Sequence, residues 1–297
     1  MRVTSTSQYI SMRDSLAASL SRVSAKQSEL GTGRRINKAS DDPVGSATAL
    51  RYRSYETEQG AYDGAADNAS TWLARADTQL QTLSSRLAEV RQVAIQANNG
   101  ALTPEARSAL GDQLLSLRDE VLGLANSQQE GQALFGGFQP AAVARDATGA
   151  WTFVGDGGKV QRRVGDGVVI NANVDGRATF GFDQPAGQDL LSVIERLATH
   201  VVSGDPALLA ADQTDLAGRT TAALGALGAV GATVNRVESA QARGRQFVEQ
   251  ITAERSSIED IDYAEAILQL TSAQNGYQAA LGAAARSNLP SLADFLH

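Results

Sequence analysis

Apolar residues recur along this chain at alternating steps of three and four, the spacing that keeps one face of an α-helix turned toward a partner helix. Near the start the series is Leu16, Leu20, Val23, Gln27 and Leu30. Near the end it is Val230, Val234, Val237, Gln241, Gly244, Val248 and Ile251. Ile258, Ile261, Leu268 and Leu270 carry an apolar face onward into a small-residue stretch, Gln278-Ala279-Ala280-Leu281-Gly282-Ala283-Ala284-Ala285. The two terminal seams read as halves of one coiled coil separated by everything between them. With Gln and Gly among their seam positions they bury little area alone, so the pattern implies packing into something larger.

The cleanest heptad is Leu73, Ala76, Leu80, Leu83, Leu87, Val90, Ala94 and Ala97, between Pro43 and Pro104. Asn98-Asn99-Gly100 follows it as a C-cap signal, and Thr103-Pro104-Glu105 opens the next helix as an N-cap with Pro at the first position. Leu110, Leu114, Leu117, Val121 and Leu124 then repeat the seam. A helix from about Ala65 to Ala97 is expected, roughly 50 Å long at 1.5 Å per residue.

After Leu134-Phe135-Gly136-Gly137 the period becomes strand-like in Trp151–Val154, Val160–Val164 and Val168–Asn171. Gly155-Asp156-Gly157-Gly158, Gly165-Asp166-Gly167 and Asp175-Gly176 separate these runs and carry hairpin-turn chemistry. The expected result is a small antiparallel β module over about 138–185. Helices are expected again at Gln188–Ser203, ending at Gly204, and from Pro206 through Leu227 toward the C-terminal seam. The fold class is therefore mainly α: a terminal coiled coil, a long-helix bundle and an antiparallel β insertion.

Composition narrows the chemistry. Aromatic residues make up 5% of the 297 and cysteine is absent, which excludes disulfides and thiolate catalysis. No apolar run is long enough to span a membrane, and the polar first thirty residues do not resemble a cleavable secretory signal. Net charge is -7. The first sixty residues lean positive, but acids are interleaved and stacking aromatics are not, which argues against a nucleic-acid arm. The two histidines, His200 and His297, fall in no catalytic or metal motif, and His200 reads as a helix surface residue. The Gly155–Gly158 loop lacks the lysine of a phosphate loop. Asp41-Asp42 and Glu259-Asp260-Asp262 read as helix starts, with Ser256 and Glu259 at capping-box spacing. No cofactor, metal or catalytic group is expected.

One stretch carries more than a linker needs: Leu30-Gly31-Thr32-Gly33-Arg34-Arg35-Ile36-Asn37-Lys38-Ala39-Ser40-Asp41-Asp42-Pro43-Val44-Gly45. It closely resembles the N-terminal signature of the bacterial flagellin superfamily, matching it at Leu30, Gly33, Arg35, Ile36, Asn37, Ala39, Asp41, Asp42, Pro43 and Gly45, with Val44 in place of Ala. Gln92–Gly100 is similar to the family's second-helix ending, and Ile258–Glu265 and Tyr277–Leu281 to its C-terminal helices. Met1-Arg2-Val3-Thr4, Leu289–Leu296, and the Leu134–Gly137, Phe153–Asp156 and Asn173–Gly176 segments resemble the family's hook–filament junction members more than its filament subunits. Pro290, and Ala133 where Tyr is frequent, depart from that pattern.

The resemblance implies a structural, non-enzymatic protein exported through the flagellar type III apparatus to the extracellular flagellum. Its expected partners are a hook-side junction protein, flagellin, copies of itself in a ring, and an export chaperone on the C-terminal helices, with no nucleic acid and no membrane. A minor flagellin is the alternative. Residues 1–44 with 255–297 are expected to form the inner assembly domain, 45–137 with 188–254 the helical bundle, and 138–187 an outer β-rich domain. Assembly or partner contacts are expected at Leu16, Leu20, Val23, Leu30, Arg35, Asn37, Asp41, Asp42, Ile258, Ile261, Leu268, Tyr277, Leu281, Leu292 and Phe295.

Overall fold

The computed structural model describes residues 5–287; Met1–Thr4, Leu289–Leu296 and the predicted contacts Leu292 and Phe295 lie outside them. Seven helices and six strands follow in the order α1 (Ser5–Thr32), α2 (Pro43–Ala97), α3 (Pro104–Ala125), β1 (Gln128–Gln129), β2 (Gln132–Ala133), β3 (Val143–Arg145), β4 (Trp151–Phe153), β5 (Gln161–Gly165), β6 (Val168–Asn171), α4 (Gly176–Thr179), α5 (Leu190–Ser203), α6 (Pro206–Glu259) and α7 (Tyr263–Ser287). The chain is mainly helical with small antiparallel sheets, as its hydrophobic period implies. It divides into two compact units, one joining the described residues up to Glu58 with those from Gln246, the other running from Gln59 to Arg245.

In the Gln59–Arg245 unit the heptad of α2 begins well before Leu73. Gln59, Tyr62, Ala66 and Ala69 continue its three-four alternation, and every position from there through Leu73, Leu80 and Leu87 to Ala97 is buried. On α6 the buried residues Leu209, Leu216, Ala223, Val230 and Val237 fall seven apart, which keeps one stripe of a long helix against its neighbour. Gly244 continues that stripe where an added Cβ would meet the Gln59 amide at 2.0 Å. Helix α3 lies against α5 closely enough that a Cβ on Gly111 would stand 2.9 Å from Val202.

Helix ends follow local chemistry. Thr103 accepts from the Ala106 N–H with Pro104 at the first helical position, Asp189 accepts from the Ser192 N–H, and Gly204 closes α5 in the left-handed region at φ 73°. Gly100 does not adopt positive φ, so the left-handed cap expected there is not made.

The β region is three separate two-stranded hairpins, β1–β2, β3–β4 and β5–β6, rather than one sheet. Asp166-Gly167 turns β5 into β6 as expected, with Gly167 at φ 65°. The Gly155–Gly158 segment instead connects two hairpins. There the Asp156 carboxylate accepts the Phe138 and Gly158 N–H groups at 2.9 and 2.8 Å. These bonds hold its pKa below the usual carboxylate range. Asp175-Gly176 is not a turn either: Asp175 caps α4, and Gly176 packs so tightly that a Cβ would lie 2.2 Å from the Phe135 carbonyl oxygen. Another two-residue turn joins β1 to β2 through Glu130 (φ 53°) and Gly131 (φ 81°), a pair that lacks the Asn or Asp signal.

Candidate assembly site

The unit formed by the two ends of the chain gathers most of the sequence-predicted contacts. Helix α1 packs on α7. The end of α1 meets the start of α7, because the Ile261 N–H donates to the Gly33 carbonyl at 3.2 Å and Arg34 bridges Asp260; the two helices are therefore antiparallel. On α1 the inward positions are Met12, Leu16, Ser19, Val23, Lys26 and Leu30; on α7 they are Ala266, Leu270, Ala273, Tyr277, Ala280 and Ala284. Both series alternate by four and three. Leu16, Val23 and Leu30 thus fall on the seam expected of them, and Tyr277 faces it from α7. Leu20 and Gln27 do not: Ser19 and Lys26 take those places, and Leu20 stays 52% exposed. Ser19 is buried there and accepts a hydrogen bond from Arg22 at 3.0 Å.

Within this unit α1 packs on α7, and the Val230–Ile251 seam lies on another helix. That seam belongs to α6. In this unit α6 is tied to α2: Glu254 accepts the Tyr52 hydroxyl at 2.6 Å, Arg255 pairs with Glu56 at 2.5 Å, and Tyr55 and Phe247 stack with ring centroids 6.0 Å apart. The hydrogen bond to Glu254 raises the Tyr52 pKa and lowers that of the carboxyl.

Between α1 and α2 the Gly33–Asp42 loop works as a clasp. Gly33 sits at φ 70°, and a Cβ there would lie 2.7 Å from the Tyr263 hydroxyl. The Arg35 N–H donates to the Glu259 carbonyl at 2.6 Å, while its guanidinium reaches the Ile258 carbonyl at 2.9 Å and Asp42 at 3.2 Å. Asp41 accepts the Asn37 and Lys38 N–H groups, and Asn37 donates to the Arg34 carbonyl. Asp42 accepts the Gly45 N–H at 2.8 Å as the cap of α2. That bond, more than the nearby Arg35, lowers its pKa. Ile36 is buried beneath, and Arg53 meets the nearly buried Glu259 at 2.5 Å. The structure therefore brings Arg35, Asn37, Asp41, Asp42, Ile258 and Ile261 together.

Ser256 lies inside α6 and donates to Asp260, so the capping-box reading fails; Asp262 caps α7 instead, accepting from Ala264 and Glu265. Sequence reasoning missed Ile36, Arg53 and Glu259 as members of the clasp. A lone buried carboxylate two hundred residues from its arginine leaves no local signal.

Outside these contacts stand several large apolar side chains of the terminal helices. Tyr9, Ile10, Leu20, Tyr263, Ile267, Leu268 and Leu281 are 41–71% exposed, while the α1–α7 seam mixes Met12, Leu16, Leu30, Leu270 and Tyr277 with serine and alanines. Leu268 and Leu281 are therefore surface residues of the single chain. Among the described residues no helix is long and apolar enough to cross a membrane, and no group of three or more His, Asp and Glu is placed to hold a metal.

Two terminal helical regions joined through a loop clasp, with β hairpins between them, define a class that comparison with known proteins identifies. The bacterial flagellin N-terminal helical region matches residues 3–139 and the C-terminal helical region matches residues 215–296. The chain belongs to the bacterial flagellin family. Within it, the chain is 23% identical to flagellar hook-associated protein 3 of Escherichia coli over 276 residues, covering 84% of this chain and 87% of that one. It is 26% identical to the Salmonella typhimurium protein of the same name over 125 residues, spanning 41% of this chain and 39% of the relative. The structure of a putative flagellar hook-associated protein from Vibrio parahaemolyticus superposes with a TM-score of 0.66 at 25% identity, covering 73% of this chain and all of that one.

Proposed function

We propose that this chain is a structural, non-enzymatic component of the extracellular bacterial flagellum that joins the hook side to the flagellin filament, packing against copies of itself in a ring. The observation that carries the reading is the apolar surface that the terminal helices leave exposed. Leu16, Val23, Leu30, Leu270 and Tyr277 alternate with Ala, Ser and Lys on the intrachain seam, while Leu20, Ile267, Leu268 and Leu281 face outward. A pair of helices that leaves this much apolar surface in water gains stability when neighbours cover it. The relatives named as hook-associated proteins support the junction over a filament subunit. Terminal helices held by so shallow a seam also suit export before assembly, with a chaperone covering the Ile258–Leu281 region.

Deleting the gene and imaging the cells tests the proposal. Hooks without filaments, with flagellin monomers shed into the medium, are the expected outcome. Full-length filaments would overturn the junction role. Long filaments formed by the purified chain alone would favour a minor flagellin.

A further inference from the structure

The turn between α2 and α3 holds a chemistry that assembly does not use. Two Asn-Gly pairs exist, Asn99-Gly100 in that turn and Asn275-Gly276 within α7. Asn98, Asn99 and Gly100 are all exposed, and a Cβ built on Gly100 would meet nothing within 4 Å. Neither packing nor backbone geometry calls for glycine, since its φ is not positive. The turn is closed by the N–H groups of Asn98 on Ile95, of Asn99 on Gln96 and of Leu102 on Asn99. The Gly100 N–H is given no acceptor among the described residues. The Asn99 side chain reaches forward along the chain so that its Oδ1 accepts the Ala101 N–H at 3.1 Å. That bond draws electron density from Cγ and turns the side-chain amide toward the Gly100–Ala101 stretch of backbone.

We infer that Asn99 is a site of spontaneous deamidation, selected by this turn, which adds a negative charge to the surface of the folded chain as it ages. The Gly100 amide nitrogen, after losing its proton to hydroxide, attacks Asn99 Cγ. The N–Cγ bond forms, the Cγ–Nδ2 bond breaks, and ammonia leaves with a proton taken from water. Water then opens the resulting succinimide: addition at Cγ gives aspartate, and addition at the backbone carbonyl gives isoaspartate. No oxidant or cofactor enters the balance. Glycine matters because the attacking nitrogen carries no Cβ-bearing neighbour to hinder approach. At Asn275 the following N–H is committed to the helix ladder of α7, and helical backbone holds the side chain away from that nitrogen.

The new charge has a defined neighbourhood. Asn99 lines a surface groove of about 450 Å³ together with Ile95, Leu102, Ala106 and Leu110, and Ile95 is 60% exposed. Aspartate puts a carboxylate on the rim of that apolar surface. Isoaspartate also lengthens the backbone by one carbon in the link between the two helices.

The test holds the purified full chain in mildly alkaline buffer and follows peptides by mass spectrometry, with isoaspartate scored by enzymatic methylation. A synthetic peptide of residues 95–104 gives the unstructured rate. Asn99 is expected to gain one dalton at a rate close to the peptide's while Asn275 keeps its amide, and Gly100→Ala is expected to slow the change roughly tenfold or more. In denaturant the two sites should converge. An Asn99 that stays an amide while the peptide converts overturns the inference, as does equal conversion of both sites in native buffer.

Discussion

Glycine shows how a single residue's role depends on what surrounds it. An added Cβ at Gly45 would stand 2.5 Å from the Asp42 carboxylate and 2.8 Å from Ile36 Cδ1, so it would displace both the cap of α2 and the buried residue of the clasp. At Gly64, inside α2 and exposed, a Cβ meets nothing within 4 Å. Gly45→Ala should therefore cost about 1–2 kcal/mol through the lost cap and overpacking, whereas Gly64→Ala should gain up to about 1 kcal/mol from helix propensity alone. Urea unfolding followed by far-ultraviolet circular dichroism measures both, and equal stabilities would contradict the clasp. The Asp-Pro-x-Gly run announced a helix start in the sequence. That the Ile258 and Glu259 carbonyls complete it could not be read there, since they arrive from the far end of the chain.

At the scale of elements, charged clusters fasten hairpins to helices. The Trp151 indole N–H donates to Glu195 at 2.8 Å, Arg145 reaches the same carboxylate at 2.8 Å and lies 4.2 Å over the Trp151 ring, and Arg118 of α3 approaches Glu195 at 3.3 Å. Burial pushes the Glu195 pKa up, but Arg145, Trp151 and Arg118 outweigh it and leave the carboxyl below its ordinary value. A depressed carboxylate contributes stability that is present above the unfolded value of about 4.3 and lost as pH falls through the folded one. Glu195→Gln should thus lower the urea midpoint at neutral pH, and its gap to the parent should close below about pH 4. A gap unchanged by pH would show that the charge contributes nothing. A second cluster shows the limit of local reading: His200, expected on the surface, lies 2.6 Å from the buried Asp212, which also accepts from Arg196 at 2.6 Å. The Asp belongs to another helix, and no spacing within α5 announces it.

For the molecule as a whole, the balance of apolar surface decides what the chain can do alone. The Gln59–Arg245 unit buries its large residues, among them Trp72, Phe135, Phe180 and the leucines of α2 and α5, and has the core of an independently folding domain. The terminal unit has few such residues inside and several outside. If its outward face is the assembly surface, Leu281→Asp should abolish incorporation into the flagellum, because a charge there would be desolvated without a partner. The melting of the Gln59–Arg245 unit should not change. A non-motile strain with an unshifted thermal transition is the expected result, and normal motility would contradict the proposed surface.

The sequence by itself determined the helical class, the heptads of α2, α3 and α6, the Asp166-Gly167 hairpin turn and the clasp motif, because each is written in a local period or a short run with its own backbone preference. Tertiary structure alone decided that Ser19 rather than Leu20 lies on the seam of α1. It also decided that the strands pair as three two-stranded hairpins and that β1 turns into β2 without an Asn or Asp signal. Those outcomes turn on which surfaces fit at close range, and no counting of apolar positions along one helix reports the shape of the helix it meets.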